Sequence, residues 1–235
     1  MFPSLVRLLR PRFFPGRAAR HGDSGFKRAE EQPILSAGST RSSPQLLFEP
    51  LTTHGFVAPL DCDVNIHKSN STFFTDADVS RAELLTRRFA GSLAGLGPNG
   101  QPANAILAGT SAQFIRELKP FQRYDVVSRV LTWNEASFYL ATYFLKKGVD
   151  VPAPVSQSGD GVAGPQDVIR ELKAKKAIYA VLITRYVVRS GRVRIAPSDL
   201  LKAAGMLGNI SKDESGSGVE DARISGLECV KGFME

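Results

Sequence analysis

One long helix, firmly stopped and followed by strand-like runs, decides what this chain can build. Phe74, Ala77, Leu85, Phe89, Leu93 and Leu96 fall at three- and four-residue steps, with an eight-residue gap that Arg81 bridges. They make one apolar stripe along a helix. Asn70 or Ser71 can cap its start, Asp76 and Asp78 suit the positive end of its dipole, and Arg87 and Arg88 lie nearer the other end. Gly95-Leu96-Gly97-Pro98-Asn99-Gly100 ends it. Ala105–Leu118 is a mixed apolar run, and Lys119-Pro120-Phe121 reads as its turn. Tyr124–Trp133 and Ser137–Leu145, joined by Asn134-Glu135, are rich in Val, Tyr, Phe and Thr and read as strands. Ala177–Val188 is the most β-branched run of the chain, and Gly191 turns from it into Val193–Ile195. Ahead of the helix, Leu46–Phe48 and then Leu51–Val57 look like a first strand with an irregular stretch. Short helices are expected over Val168–Lys175 and Ser198–Gly205, and a terminal amphipathic one over Val219–Phe233. One apolar helix and one antiparallel sheet must cover each other, which gives an α+β chain with the sheet wrapped around the helix.

The chain divides accordingly. Residues 1–45 read as a basic arm and linker, 46–205 as the folded domain, and 206–235 as a tail with a short helix. The net charge of +7 suggests nucleic acid until it is located. Residues 1–31 hold seven basic side chains against three acidic ones (Asp23, Glu30 and Glu31), so more than half of the excess lies there. The rest is mildly basic and lacks a basic face interleaved with aromatics, so no nucleic-acid partner is expected. The first 22 residues carry five arginines and no acid among scattered apolar residues. That composition suits a mitochondrial presequence as well as a plain arm, so the location is read as cytoplasmic or mitochondrial. No run approaches the ~20 apolar residues that span a bilayer, so no transmembrane segment is expected. Cys62 and Cys229 are the only cysteines and lie far apart, which makes a disulfide framework improbable. The Pro/Gly/Ser-rich stretch 148–166 is an insertion that could lie over a site entrance.

Chemistry concentrates in Asp61-Cys62-Asp63-Val64-Asn65-Ile66-His67-Lys68-Ser69-Asn70, directly before the long helix. Two carboxylates, an imidazole and an amide fall within ten residues. A helix N-terminus beside them supplies free N–H groups and a favourable dipole for an anion. Acyl transfer needs both kinds of group, one to activate water or attack a carbonyl and donors to hold the oxyanion. Asp61 and Asp63 each read as a reactive carboxylate or as a turn and capping group, His67 as a catalytic or bridging imidazole, and Asn70 as helix cap or substrate contact. Cys62 points away from Asp63 if the segment is extended. His21 and His54 are the only other histidines and no Gly-rich loop precedes a helix, so neither a metal nor a cofactor is expected.

D-x-D-x-x-x-H-x-x-N followed by Ser71-Thr72-Phe73-Phe74 resembles the start of the 4-hydroxybenzoyl-CoA thioesterase-like hotdog family. The likeness continues through Asp78-Val79-Ser80-Arg81, Leu118-Lys119-Pro120-Phe121 and the block from Leu131 to Leu140, and more weakly through Arg185 to Pro197. Within the family it is most like thioesterase superfamily member 6 and fungal thioesterase-like proteins of secondary-metabolite pathways. The resemblance implies a hotdog fold and hydrolysis of an acyl thioester on coenzyme A or a carrier protein. It implies a catalytic carboxylate at Asp63, with His67 and Asn70 orienting substrate or supporting the loop, and a homodimer or higher assembly. Coenzyme A would then be held by surface Lys or Arg of a partner subunit. Lys68-Ser69 departs from the family's hydrophobic-Asn. Two other readings are open: a non-catalytic acyl-binding or carrier-docking module, and a hydratase or dehydratase. The second is disfavoured because no Pro lies between Asp61 and His67.

Overall fold

A computed structural model describes residues 44–151, 164–207 and 215–234. The arm over 1–43, most of the insertion, and 208–214 lie outside the described residues. The elements are α1 (Pro44–Phe48), β1 (Leu51–Phe56), α2 (Asn70–Leu93), β2 (Asn104–Phe114), β3 (Arg123–Trp133), β4 (Phe138–Lys146), α3 (Pro165–Ala174), β5 (Ile178–Ser190), β6 (Val193–Ile195), α4 (Pro197–Ala203) and α5 (Ser215–Met234). All strands join one antiparallel sheet in the order β1-β3-β4-β5-β2, with β6 added to β5. The sheet curls around α2, which is the hotdog layering.

The 24-residue helix α2 buries Phe73, Ala77, Ser80, Arg81, Leu84, Phe89 and Leu93. Its buried stripe therefore runs through Phe73 and Leu84 rather than the Phe74 and Leu85 that spacing suggests. Arg81, the residue bridging the apolar gap, is fully buried, bonded to Asp78 and to Thr184 on β5. Beneath the helix a buried hydroxyl chain, Ser80–Ser128–Thr142, runs from α2 across β3 to β4 at 2.8 and 2.9 Å.

The other face of the sheet is covered too. Val127, Leu131, Tyr143, Val181 and Ile183 pack there against Val168, Ile169 and Leu172 of α3 and Cys229 and Val230 of α5. Strands β4 and the first half of β5 are thus buried on both faces, which is why they lack the alternation of a one-sided strand. Helix α5 comes so close to β3 that a Cβ on Gly226 would lie 2.7 Å from the Leu131 carbonyl oxygen. Thr132 Oγ1 donates to Arg223 O at 2.7 Å across the same seam. Burial pushes the Cys229 thiol up to about 11.

Leu46–Phe48 is a correction: it is helical, not strand. The Arg88 guanidinium, reaching from α2, donates to the carbonyl oxygens of Leu46 and Glu49 and so fixes the turn through a contact no local pattern shows. The run after the long helix ends as strand at Phe114, not Leu118. The C-terminal helix is 20 residues long, beginning four residues before the apolar pattern does.

Candidate active site

The segment between β1 and α2 folds back on itself. Its stem is tied by backbone bonds: Ser69 N donates to Asp61 O at 2.7 Å, Asp63 N to His67 O at 3.0 Å and Lys68 N to Leu118 O at 2.8 Å. Cys62 and Lys68 form an antiparallel bridge. A tight tip spans Asp63 to His67, closed by Ile66 N donating to Asp63 O at 3.0 Å. Ile66 there adopts φ 59°, a left-handed conformation that a β-branched side chain rarely takes.

This hairpin brings Asp63 and His67 together, with Asp63 Oδ1 lying 3.6 Å from His67 Nδ1. The same oxygen accepts the Asn65 N–H at 2.9 Å, an Asx turn that holds the carboxylate in place. His67 Nδ1 also lies 3.3 Å from the Lys68 carbonyl oxygen. Both neighbours are acceptors, so Nδ1 carries the proton of the neutral ring and Nε2 is the basic nitrogen. Both side chains are partly exposed, 31% for Asp63 and 23% for His67.

Asp61 is placed differently. Its Oδ2 accepts the Ala58 N–H at 3.0 Å, and its carbonyl accepts Ser69 N and Thr72 Oγ1. It braces the turn before the hairpin. Asn70 is the first residue of α2 and makes no side-chain cap, nor does Ser71; Ser69 holds the cap position with no side-chain capping bond, its hydroxyl lying 2.9 Å from that of Ser71. The caps expected at Asn70 or Ser71 are corrected on that ground: the first turn is satisfied through the Ser69 carbonyl, which accepts Thr72 N and Thr72 Oγ1. The N–H groups of Asn70 and Ser71 have no acceptor among the described residues. They are open donors at the positive end of a long helix. Cys62 Sγ turns back to Ala58 O at 3.6 Å, away from the Asp63–His67 pair.

His67 and Asn70 line a cavity of about 190 Å³ with Phe73, Phe114, Arg116 and Lys68. Phe73 packs edge-on against Phe114 and Phe144, so the inner wall is aromatic. One side of the cavity is the free edge strand β2. This wall is not legible in the sequence, because nothing distinguishes Phe114 within its apolar run. Lys68 stands out there only as a departure from the family's hydrophobic residue. Lys68 is 2% exposed, its Nζ 2.7 Å from Asp76 Oδ2 and above the rings of Phe73 and Tyr124. Asp76 also accepts the Tyr124 hydroxyl at 2.6 Å, and burial together with that carboxylate drives the phenol strongly upward. A Lys–Asp–Tyr cluster, with Lys68 and Tyr124 buried and Asp76 partly exposed, thus fastens the hairpin stem to the first turns of α2. Among the described residues no group of three or more His, Cys, Asp or Glu could hold a metal ion, and no helix is long and apolar enough to cross a membrane.

A family model described as the thioesterase-like superfamily matches residues 57–163. Thioesterase poxG of Penicillium oxalicum is 33% identical over 214 residues, covering 83% of this chain and 69% of that protein. Thioesterase lcsJ of Purpureocillium lilacinum is 28% identical over 239 residues, covering 86% and 70%. Protein THEM6 of Xenopus laevis is 26% identical over 162 residues, covering 68% and 76%.

Proposed function

The chain belongs to the thioesterase-like superfamily, and from that premise we propose that it hydrolyses acyl thioesters at the Asp63–His67 hairpin. Its substrate is an acyl group on coenzyme A or a carrier, and its fungal thioesterase relatives support a role in secondary-metabolite biosynthesis. The observation that carries the site is the 3.6 Å approach of Asp63 to His67 beside an aromatic cavity and an open helix N-terminus. Asp63 supplies the carboxylate that activates water or attacks the thioester carbon. His67, which lines the cavity, orients it. The tetrahedral oxyanion is held by the N–H groups of Asn70 and Ser71. As the carbonyl reforms the C–S bond breaks and the thiolate takes up the proton that water gave to Asp63. Where Asp63 is the nucleophile, water then cleaves the acyl-Asp63 anhydride.

We further propose that the working unit is a homodimer joined through β2. That strand is the sheet's edge, runs for eleven residues without a charge or a proline, and exposes Ile106, Leu107 and Phe114. Such an edge is a template for pairing, and a second copy would close the open side of the cavity. Thiol release from a panel of acyl-CoA thioesters tests the activity. Turnover lowered roughly 10²–10⁴-fold by Asp63→Asn, with acyl-CoA binding kept, is the expected result. Binding without turnover in the native chain would make this an acyl-binding module instead.

A further inference from the structure

The end of the sheet that carries the Asp63–His67 hairpin also carries the most exposed large apolar side chains among the described residues. Leu60 is 97% exposed, Val64 95%, Ile66 73% and Phe121 67%. Their segments are tied together. Val57 N donates to Gln122 O at 3.0 Å, Phe121 N to Val57 O at 2.9 Å, and Lys68 N to Leu118 O at 2.8 Å. The turn over 118–122 is thus bonded to the end of β1 on one side and to the hairpin stem on the other. Phe56, the last residue of β1, sets its ring 6.2 Å from that of Phe121. Two of these side chains are held outward against the backbone's preference. Phe121 has φ 65° and Ile66 φ 59°, a left-handed conformation that glycine or asparagine adopts far more easily. Folding favours a small or polar residue at both places, since neither side chain is buried. A strained Ile and a strained Phe, both facing water at one corner, point to something apolar outside the chain.

A basic rim accompanies the patch. Arg123 lies opposite Phe56 in the register and Lys146 opposite Tyr124, while Lys146 N donates to Ala177 O at 2.8 Å, which brings Lys176 next in line. Arg116 donates to the Lys176 carbonyl oxygen, Lys119 stands in the turn of Phe121, and Lys147 directly follows β4. All six are exposed, and among the described residues none forms an ion pair. The carboxylates at this end are Glu117, Asp150 and the half-buried Asp61 and Asp63, so it stays net positive. Strand β1 is the sheet edge farthest from β2, so two copies joined through β2 leave this corner open. Side chains that stand almost wholly clear of their neighbours form a convex tip, which suits a deformable lipid layer better than a flat protein interface. We propose that this corner docks on an anionic lipid surface. Leu60, Val64, Ile66 and Phe121 enter the headgroup layer, and the six cations meet the lipid phosphates and carboxylates. Such contact lies on a bilayer without spanning it. The docking hairpin is the one that holds Asp63 and His67, so under the thioesterase reading long acyl chains dissolved in the bilayer lie beside the site. The docking itself does not depend on that reading.

The test places a reporter at the tip of the full chain. Trp133, the only tryptophan, is buried, so Leu60→Trp adds one exposed indole. Vesicles of phosphatidylcholine mixed with phosphatidylserine should shift its emission to the blue, brominated lipid should quench it, and added salt should weaken both effects. Val193→Trp, on β6 at the opposite end of β5, should stay unquenched. In the Leu60→Trp chain, Ile66→Asn with Phe121→Asn should raise the lipid concentration for half-maximal quenching about 10- to 100-fold, as expected for two partly inserted side chains. The same pair should leave the melting temperature equal or higher, because asparagine tolerates the left-handed backbone. Lys119→Gln with Arg123→Gln, both exposed, should raise that concentration about 10-fold or more on the mixed vesicles. Equal quenching on vesicles with and without phosphatidylserine would overturn the assignment to an anionic surface. Vesicle binding without quenching at position 60 would place the basic segment 1–31 on the lipid instead and overturn the proposal, as would no vesicle binding at all. Quenching unchanged by the asparagine pair would overturn it too. A melting temperature lowered by that pair would mean that the apolar tips pack against protein, on a second copy where the assembly also becomes smaller, and not on lipid.

Discussion

Asp63 and Asp61 stand two residues apart and do different things, which substitutions can separate. Asp63→Asn keeps the Asx turn but removes the basic oxygen, so activity should drop by roughly 10²–10⁴-fold with stability unchanged. Asp61→Asn weakens the bond to Ala58 N and should show mainly in the melting temperature. His67→Ala should lie between them in rate; a loss equal to that of Asp63→Asn would mean that Nε2, not the carboxylate, takes the proton from water. Lys68 and Asp76 offer an asymmetry in stability. Lys68→Met replaces a buried ammonium with an apolar chain of similar size and should change stability in urea by less than about 1 kcal/mol. Asp76→Asn strands the buried ammonium and should cost about 2–4 kcal/mol, tempered because Asp76 is 33% exposed. Equal costs in urea melts would refute this account of the pair. How near Asp63 comes to His67 depends on backbone bonds of the hairpin that no spacing rule announces. The concentration of reactive residues before a helix, by contrast, is plain in the sequence.

Among the elements, α2 and the strands after it were legible because their apolar content follows the periods that local geometry imposes. The buried stripe of α2 lies one residue from the apolar spacing, at Phe73 and again at Leu84, since Arg81 is buried and a pattern built on apolar residues alone skips it. Helix α1 was not legible, being fixed by Arg88 from another element. The terminal helix was legible in kind, but not in its intimacy with β3. Gly226→Ala tests that intimacy. Alanine favours an isolated helix by about 1 kcal/mol, yet here its methyl would strike backbone oxygen and the Thr132 side chain. Net destabilisation of about 1–3 kcal/mol is expected. A thiol reporter is built in: at pH 8 the buried, neutral Cys229 should resist iodoacetamide in the native chain and become reactive as α5 lifts in the variant. Unaltered labelling together with raised stability would show that α5 has room to spare.

At the scale of the whole molecule the decisive surface is the edge β2, where the proposed assembly and the acyl cavity meet. Light scattering at micromolar concentration should give a dimer, and Leu107→Lys, which puts a charge on that edge, should shift it towards monomer and lower activity with it. A fully active native monomer would count against the pairing. The sheet order carries one more consequence, about time. Strand β2 pairs only with β5, and Phe114 and Ile178 are separated by some sixty residues of chain. At ribosomal speeds of roughly 5–20 residues per second, β2 emerges about 3–12 s before the strand that will hold it exists. During that interval an uncharged, apolar edge, later needed for partnership, has neither its own sheet nor its twin. The newborn chain should therefore lean on chaperones more than its finished form suggests.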